Sequence, residues 1–215
     1  MSIDEAYQFL NFLANSRQSG KITPANFNLA IQRAGMQFFL NEIKKWQDSQ
    51  VVTDAISPFI DVQILNISSN GQVPYPTFYV DTIAVRHLYY KPNGSAIEVP
   101  VVEVNNSAIG EVSQSEIVAP TKRYPNISYY TNYMQFLPKD IGNAIYEYFR
   151  LPIDPIWNFT VVNNRPVYNP ATSVQLEFRD KDHNEIVMIT AGYLGLNLSM
   201  PELLQGAELF KAQNN

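Results

Sequence analysis

The segment Asn132-Tyr-Met-Gln-Phe-Leu-Pro-Lys-Asp-Ile-Gly-Asn-Ala-Ile-Tyr-Glu-Tyr-Phe-Arg-Leu-Pro-Ile-Asp-Pro-Ile-Trp157 is the stretch around which the chain is organised. It reads as an apolar strand, a polar turn at Pro138-Lys139-Asp140 and a second strand rich in aromatics. Pro152 and Pro155 then close it just before Trp157. Proline has no N–H to give a sheet ladder, so the pair ends the strand and sets an extended exit. The pattern predicts a hairpin at the heart of a β-rich region.

Working back from this hairpin, residues 105–128 are polar and contain Pro120 and Pro125. They are expected to form a long irregular excursion, with one short helical turn near Ser113 to Val118; connections of this length are usually functional or disordered. Thr77 to Tyr90 is the longest strand-like run, dense in β-branched and aromatic residues. Pro92-Asn93-Gly94 follows as a tight turn, because Asn-Gly tolerates positive φ, and Ala96 to Val104 returns as the partner strand. Asp61 to Ile67 is an earlier strand, ended by Ser69-Asn70-Gly71. Beyond Trp157, Asn158 to Val162 and Ser173 to Phe178 are short strands around the turn-rich Asn163 to Pro170.

Both ends of the chain are helical in pattern. Ser2 and Glu5 have the spacing of a capping box, in which hydroxyl and carboxylate satisfy each other's backbone amides. Ile3, Ala6, Tyr7, Leu10, Leu13 and Ala14 follow on one face. Thr23 is an N-cap with Pro24 at the first helical position, where a missing N–H costs nothing. The stripe Phe27, Ala30, Ile31, Ala34, Phe38 and Trp46 completes an expected antiparallel helix pair. Asp182 is read as the cap of a helix over Glu185 to Leu196, with Ile186, Ile189, Tyr193 and Leu194 on one side. Ser199 and Glu202 open a last helix, with Pro201 in its first turn, to about Gln213.

The expected fold is therefore α+β, with N- and C-terminal helices packed together beside a mostly antiparallel β domain. Three regions follow: a helical hairpin over 1–60, a β-rich domain over 61–180 that carries the excursion 105–128, and C-terminal helices over 181–215 that pack on the first pair.

Composition narrows the function more by exclusion than by pointing. The net charge of −5 and the absence of basic runs longer than Lys44-Lys45 or Lys122-Arg123 argue against a phosphate-backbone binder. No cysteine is present, so disulfides, thiol nucleophiles and thiolate metal sites are excluded. No apolar run reaches the ~18 residues of a membrane span. The acidic start Met-Ser-Ile-Asp-Glu-Ala is unlike a secretion signal, so the sequons at Asn66, Asn93, Asn105, Asn126, Asn158 and Asn197 carry no expectation. Charged residues make up 16%, against ~25% in ordinary soluble domains, while Tyr and Phe number 13 and 12. Much of the surface is then uncharged polar or aromatic, the kind that partners cover.

Chemistry-bearing residues are sparse. His87 lies within a strand without a serine elbow or a partner base, and His183 is the only other histidine. Asp180-Lys-Asp182-His183-Asn-Glu185 has oxygen ligands at short spacing but lacks the glycine turn of a calcium loop; a helix N-terminus explains the acids equally. Gly110, Gly142 and the Gly192/Gly195 pair form no phosphate-binding fingerprint. Tyr124, Tyr129, Tyr130, Tyr133, Tyr146 and Tyr148 could line a sugar platform, or could be packing and interface residues. No catalytic residue, metal ligand or cofactor is expected.

Three segments carry a resemblance. They are Ser2–Tyr7 with Ser19–Ala34, then Asn143–Trp157, then Ser173–Phe178 with Asn184–Val187 and Leu194–Gln205. Together they span most of the chain. In order and spacing this layout resembles the neck and ring proteins of tailed bacteriophages, in particular hypothetical structural proteins of crAss-like and related Bacteroidetes phages. Tyr148-Phe-Arg-Leu-Pro-Ile-Asp-Pro-Ile-Trp157 is similar to a Tyr-Leu-Arg-x-Pro-x-x-Pro-x-Trp pattern in those proteins, with Phe149 where Leu is favoured. The resemblance implies a non-catalytic virion component. It would be made in the host cytoplasm and assemble as a homo-oligomeric ring between portal and tail. Its partners would be copies of itself, the portal and other neck or tail rings, with genomic DNA passing as cargo and no membrane contact. On this reading Arg150, Pro152, Pro155, Trp157, Tyr129 and Tyr130, with the loop 105–128, are the expected subunit contacts. The alternative expectation is a β-rich carbohydrate-binding module of a virion or tail.

Overall fold

The computed structural model describes residues 1–16, 20–92 and 94–196. The chain divides into two compact units. One is Met1–Pro58 together with the chain from Pro152 onward; the other is Phe59–Leu151, inserted between those two parts. The class is α+β, and among the described residues no helix is long and apolar enough to cross a membrane.

Among the described residues, the first unit is built on three helices. Helix α1 (Ile3–Ser16) begins with the expected box: Ser2 N–H donates to Glu5 Oε2 at 2.6 Å, and Glu5 N–H donates to Ser2 Oγ at 3.2 Å. In α2 (Pro24–Ser49), Asn26 N–H donates to Thr23 Oγ1, and every residue of the expected apolar stripe is buried. The chain later returns as α4 (Asp180–Tyr193), which packs extensively along α2 and touches α1, so helices from the two ends of the chain share one core. Ile3, Leu10, Phe27, Ile31, Phe39 and Ile186 lie wholly within it. Each such side chain contributes about 1.5–3 kcal/mol through removal from water.

Helix α4 differs from its expected form. Its N-cap is Arg179, so Asp180 and Asp182 sit in the first turn, where they complement the helix dipole. The buried stripe is His183, Ile186, Val187, Thr190 and Ala191, and Tyr193 is exposed. Two polar residues hold core positions because each finds a partner locally. His183 Nε2 is 2.8 Å from Phe178 O, and Thr190 Oγ1 donates to Ile186 O at 2.7 Å. The helix expected from Ser199 to Gln213 lies outside the described residues.

The inserted unit is a two-sheet sandwich. One sheet has the order β1-β8-β3-β4, from β1 (Ile60–Asn66), β3 (Tyr79–Tyr90), β4 (Ala96–Pro100) and β8 (Asn143–Arg150). The other has the order β2-β7-β6-β5, from β2 (Gln72–Pro74), β5 (Val102–Glu103), β6 (Asn126–Tyr129) and β7 (Tyr133–Leu137). All pairs are antiparallel except β5 with β6. Leu65, Val85, Ala144, Tyr146 and Tyr148 from the first sheet meet Val73, Ile127, Met134 and Phe136 from the second.

Three expectations change here. The segment 132–157 is not a hairpin: β7 and β8 belong to different sheets, and the link 138–142 carries the chain across the sandwich. The reason is that β8 is flanked by β1 and β3, which leaves it no edge for β7. Both strands instead turn their alternate apolar residues toward the same core. The boundary expected at 180 falls at Leu151/Pro152, because the described chain from Pro152 belongs to the helical unit. The excursion 105–128 holds α3 (Ile109–Gln114), earlier than the turn expected at Ser113, and is closed at its base where β5 pairs with β6.

Candidate interaction surfaces

The exit Arg150–Trp157 was expected at a subunit contact, and its end is instead inside the first unit. Trp157 is 3% exposed. Its ring stacks on Tyr7 at 4.2 Å, its Nε1–H donates to Asp4 Oδ1 at 2.8 Å, and its backbone N–H donates to Asn28 Oδ1 at 2.8 Å. Asn28 Nδ2 donates in return to Trp157 O, and Gln32 Nε2 donates to the carbonyl of buried Pro155. The two prolines therefore hold an extended segment whose backbone is read by the polar side of α2. Pro152 is half-buried, and in the inserted unit Arg150 places its guanidinium 5.8 Å over the Phe59 ring. These residues fasten the chain to itself.

Several of the tyrosines pack on one another. Tyr75 stacks on Tyr79 at 4.8 Å, Tyr146 on Tyr148 at 5.5 Å, and Tyr130 on Tyr133 at 4.8 Å, so each of these rings has a face covered by another ring. Thr82 Oγ1 lies 2.6 Å from Tyr146 OH and 3.1 Å from Tyr79 OH, and Tyr148 OH donates to Asp61 Oδ2 at 3.2 Å. Burial pushes the Tyr129 and Tyr146 phenols well above their ordinary range, against the opposing pull of Thr82. Tyr124 is exposed, with Arg123 5.4 Å above its ring. A shallow polar cleft of about 510 Å³ lies beside Tyr129, lined by Glu103, Val104, Asn105 and Asn106, and Asn106 Nδ2 donates across it to Tyr129 O.

The buried ionisable residues His87, Glu42 and His183 each have a polar neighbour within the chain. His87 points into the sandwich with Nδ1 2.8 Å from Asn143 O. Glu42 accepts from Thr53 Oγ1 at 2.9 Å and pairs with Lys45. His183 Nδ1 stands 3.3 Å from Asp180 Oδ1, which itself pairs with the N-terminal ammonium at 2.8 Å. That ammonium holds the Asp180 carboxyl below the usual carboxylate range. Among the described residues, no three His, Asp or Glu side chains gather as metal ligands.

Two strand-built surfaces among the described residues expose apolar side chains on a flat face. The first is a hairpin, where the sequence pattern predicts one strand and a turn-rich segment. β9 (Phe159–Val162) and β10 (Arg165–Tyr168) are joined by Asn163-Asn164, both at positive φ (49° and 58°). This is a two-residue turn of the primed kind, whose twist suits a hairpin. Asn-Asn between Thr-Val-Val and Arg-Pro-Val-Tyr was the available signal. The register places Thr160 opposite Val167 and Val162 opposite Arg165 on one face, with Phe159 opposite Tyr168 and Val161 opposite Pro166 on the other. On the second face Phe159 and Tyr168 stack on Trp157, at 5.6 Å and 5.8 Å, while Val161 beyond them is 66% exposed. The first face is open, with Val162 50% and Val167 47% exposed. The strands pair chiefly with each other, so this is an arm.

The second open surface is the part of the outer face of the β1-β8-β3-β4 sheet around Val62 and Ile64; further along the same face Phe149 is buried. Val62 and Ile64, 55% and 67% exposed, lie there opposite Glu147 and Ile145. Beside them Arg86 is held between Glu147 at 3.2 Å and Glu98 at 3.4 Å. β1 is also a sheet edge, and Asp61 Oδ1 takes the N–H of Val62, which blunts strand addition there. No family model and no curated protein matches the chain.

Proposed function

We propose that the chain is a virion structural protein: one subunit of a homo-oligomeric ring in the head-to-tail connector of a tailed bacteriophage, without catalytic activity. The observation that carries this reading is the β9–β10 arm. An isolated two-stranded hairpin is marginal in water, and here its outer face keeps two valines exposed. A surface of that kind is stabilised by covering it, and an assembly supplies the cover. The phage placement comes from the three sequence segments that resemble neck and ring proteins. The low charged fraction and the net charge of −5 suit a subunit whose surface meets partners and whose lumen passes DNA without holding it. The carbohydrate-binding alternative has less support, since its aromatic faces are stacked on one another.

Mass photometry and negative-stain electron microscopy of the purified chain, alone and with the portal protein, test the reading. A closed ring of one stoichiometry is expected in at least one condition. Monomer alone in both conditions overturns it. Retention on a glycan array, abolished by Tyr129→Ala with Tyr130→Ala, would favour the alternative.

A further inference from the structure

We infer that the open face of the β9–β10 arm of one copy docks on the outer face of the β1-β8-β3-β4 sheet of the next, with Arg165 completing the charge set around Arg86. This deepens the ring reading and rests on it for closure, though not for the contact itself. Three features carry the inference. Both surfaces are open in the single chain and similar in kind: Val162 and Val167 beside Thr160 on the arm, Val62 and Ile64 beside Ile145 on the sheet. Both are built on strands with alternating side chains, so each offers a flat apolar strip that packs face to face.

Charge complementarity selects the occupant. On the sheet, one guanidinium faces two carboxylates, Glu98 and Glu147, which leaves the set one positive charge short. On the arm, Arg165 is exposed, shares the open face with Val162, and has no ion pair among the described residues. A second copy therefore brings the missing cation at the edge of the matching apolar strip. The two patches differ, so the contact is heterologous. Each copy that joins leaves one arm and one sheet face free for a further copy, and the chain of contacts closes into a ring or continues as a filament. Edge-to-edge strand addition at β1 is disfavoured by the Asp61 carboxylate on the Val62 N–H, which is why the contact is assigned to the face.

The absence of cysteine makes the test clean. Val162→Cys and Ile64→Cys chains, prepared separately, are mixed at full length and treated with a short bis-maleimide. Linked dimers are expected in the mixture and not in either variant alone. In parallel, Arg165→Glu is expected to weaken self-association by roughly tenfold or more, and Glu147→Arg in the same chain to restore it. Oligomers that form without the 162–64 link, or an Arg165→Glu chain that associates normally, overturn the contact while the ring reading stands. Linked chains that appear only as open filaments under the microscope uphold the contact and overturn the ring. Chains that stay monomeric and unlinked at every concentration overturn both.

Discussion

The links 91–95 and 138–142 are each five residues long and each joins an aromatic-rich strand to its successor, yet they do opposite things. The first closes a hairpin. Lys91 N–H donates to Ser95 O and Gly94 N–H to Lys91 O, so the link satisfies itself and β3 pairs with β4. The second carries the chain from one sheet to the other. Its Gly142 carbonyl accepts from Ile67 N–H, at the end of β1, rather than from the preceding strand. The decisive difference is one side chain. The described residues of the hairpin link are all exposed, whereas Ile141 is buried among Leu65, Phe136 and Tyr146. An apolar residue inside a link draws the chain through the core, and length alone cannot distinguish the two outcomes.

That contrast can be broken most severely at the crossing. Phe136→Ala removes a fully buried ring just before the second link, and is expected to lower the stability of the inserted unit by about 4 kcal/mol in denaturant unfolding. Gly71→Ala should come next, at about 3 kcal/mol. Gly71 has φ +79°, its carbonyl accepts from Phe136 N–H, and an added Cβ would lie 2.6 Å from Phe136 O. Gly94→Ala in the hairpin meets nothing within 4 Å and carries only the strain of positive φ, about 1 kcal/mol. Ile141→Ala is expected to cost about 2 kcal/mol, while Ser95→Ala stays within about 0.5 kcal/mol. Equal effects of Ile141→Ala and Ser95→Ala would remove the explanation given above.

A smaller and graded effect concerns pH. Burial raises the phenols of Tyr129 and Tyr146 above their ordinary value of 10.0. Above that value the unfolded chain releases protons that the folded chain retains. Stability is therefore complete below about pH 10 and falls above it, at about 1.4 kcal/mol per pH unit for each such tyrosine. Tyrosinate absorbance from these two rings should appear together with the loss of far-ultraviolet circular dichroism. Appearance before unfolding would place the rings in water.

The helical ends were legible because capping chemistry is local: Ser2, Glu5, Thr23 and Pro24 each act within one turn. The hairpin β3–β4 was legible for the same reason, through its turn. Strand pairing at 132–157 was not, because β8 is claimed by β1 and β3, and nothing within the segment records competitors so distant in sequence. The exit Arg150–Trp157 is expected at an interface only through the resemblance to neck and ring proteins. Its partners, Tyr7 and Asn28, are far away in sequence and became visible only with the fold. The arm was hidden by Pro166, which suggested a turn but occupies a strand with free edges, where proline is tolerated.

The inserted unit enters at Phe59 and leaves at Leu151, and Ile60 pairs with Phe149 across β1 and β8. Its two ends therefore emerge side by side. For the helical unit, the intervening chain would be a long loop to close before α4 could reach α2, and loop closure is an entropic cost. Once β1 and β8 have paired, that loop is effectively as short as the spacing between neighbouring strands. The sandwich is thus a clasp in the path of the chain. If it folds first, the helices assemble as though they had been close together all along.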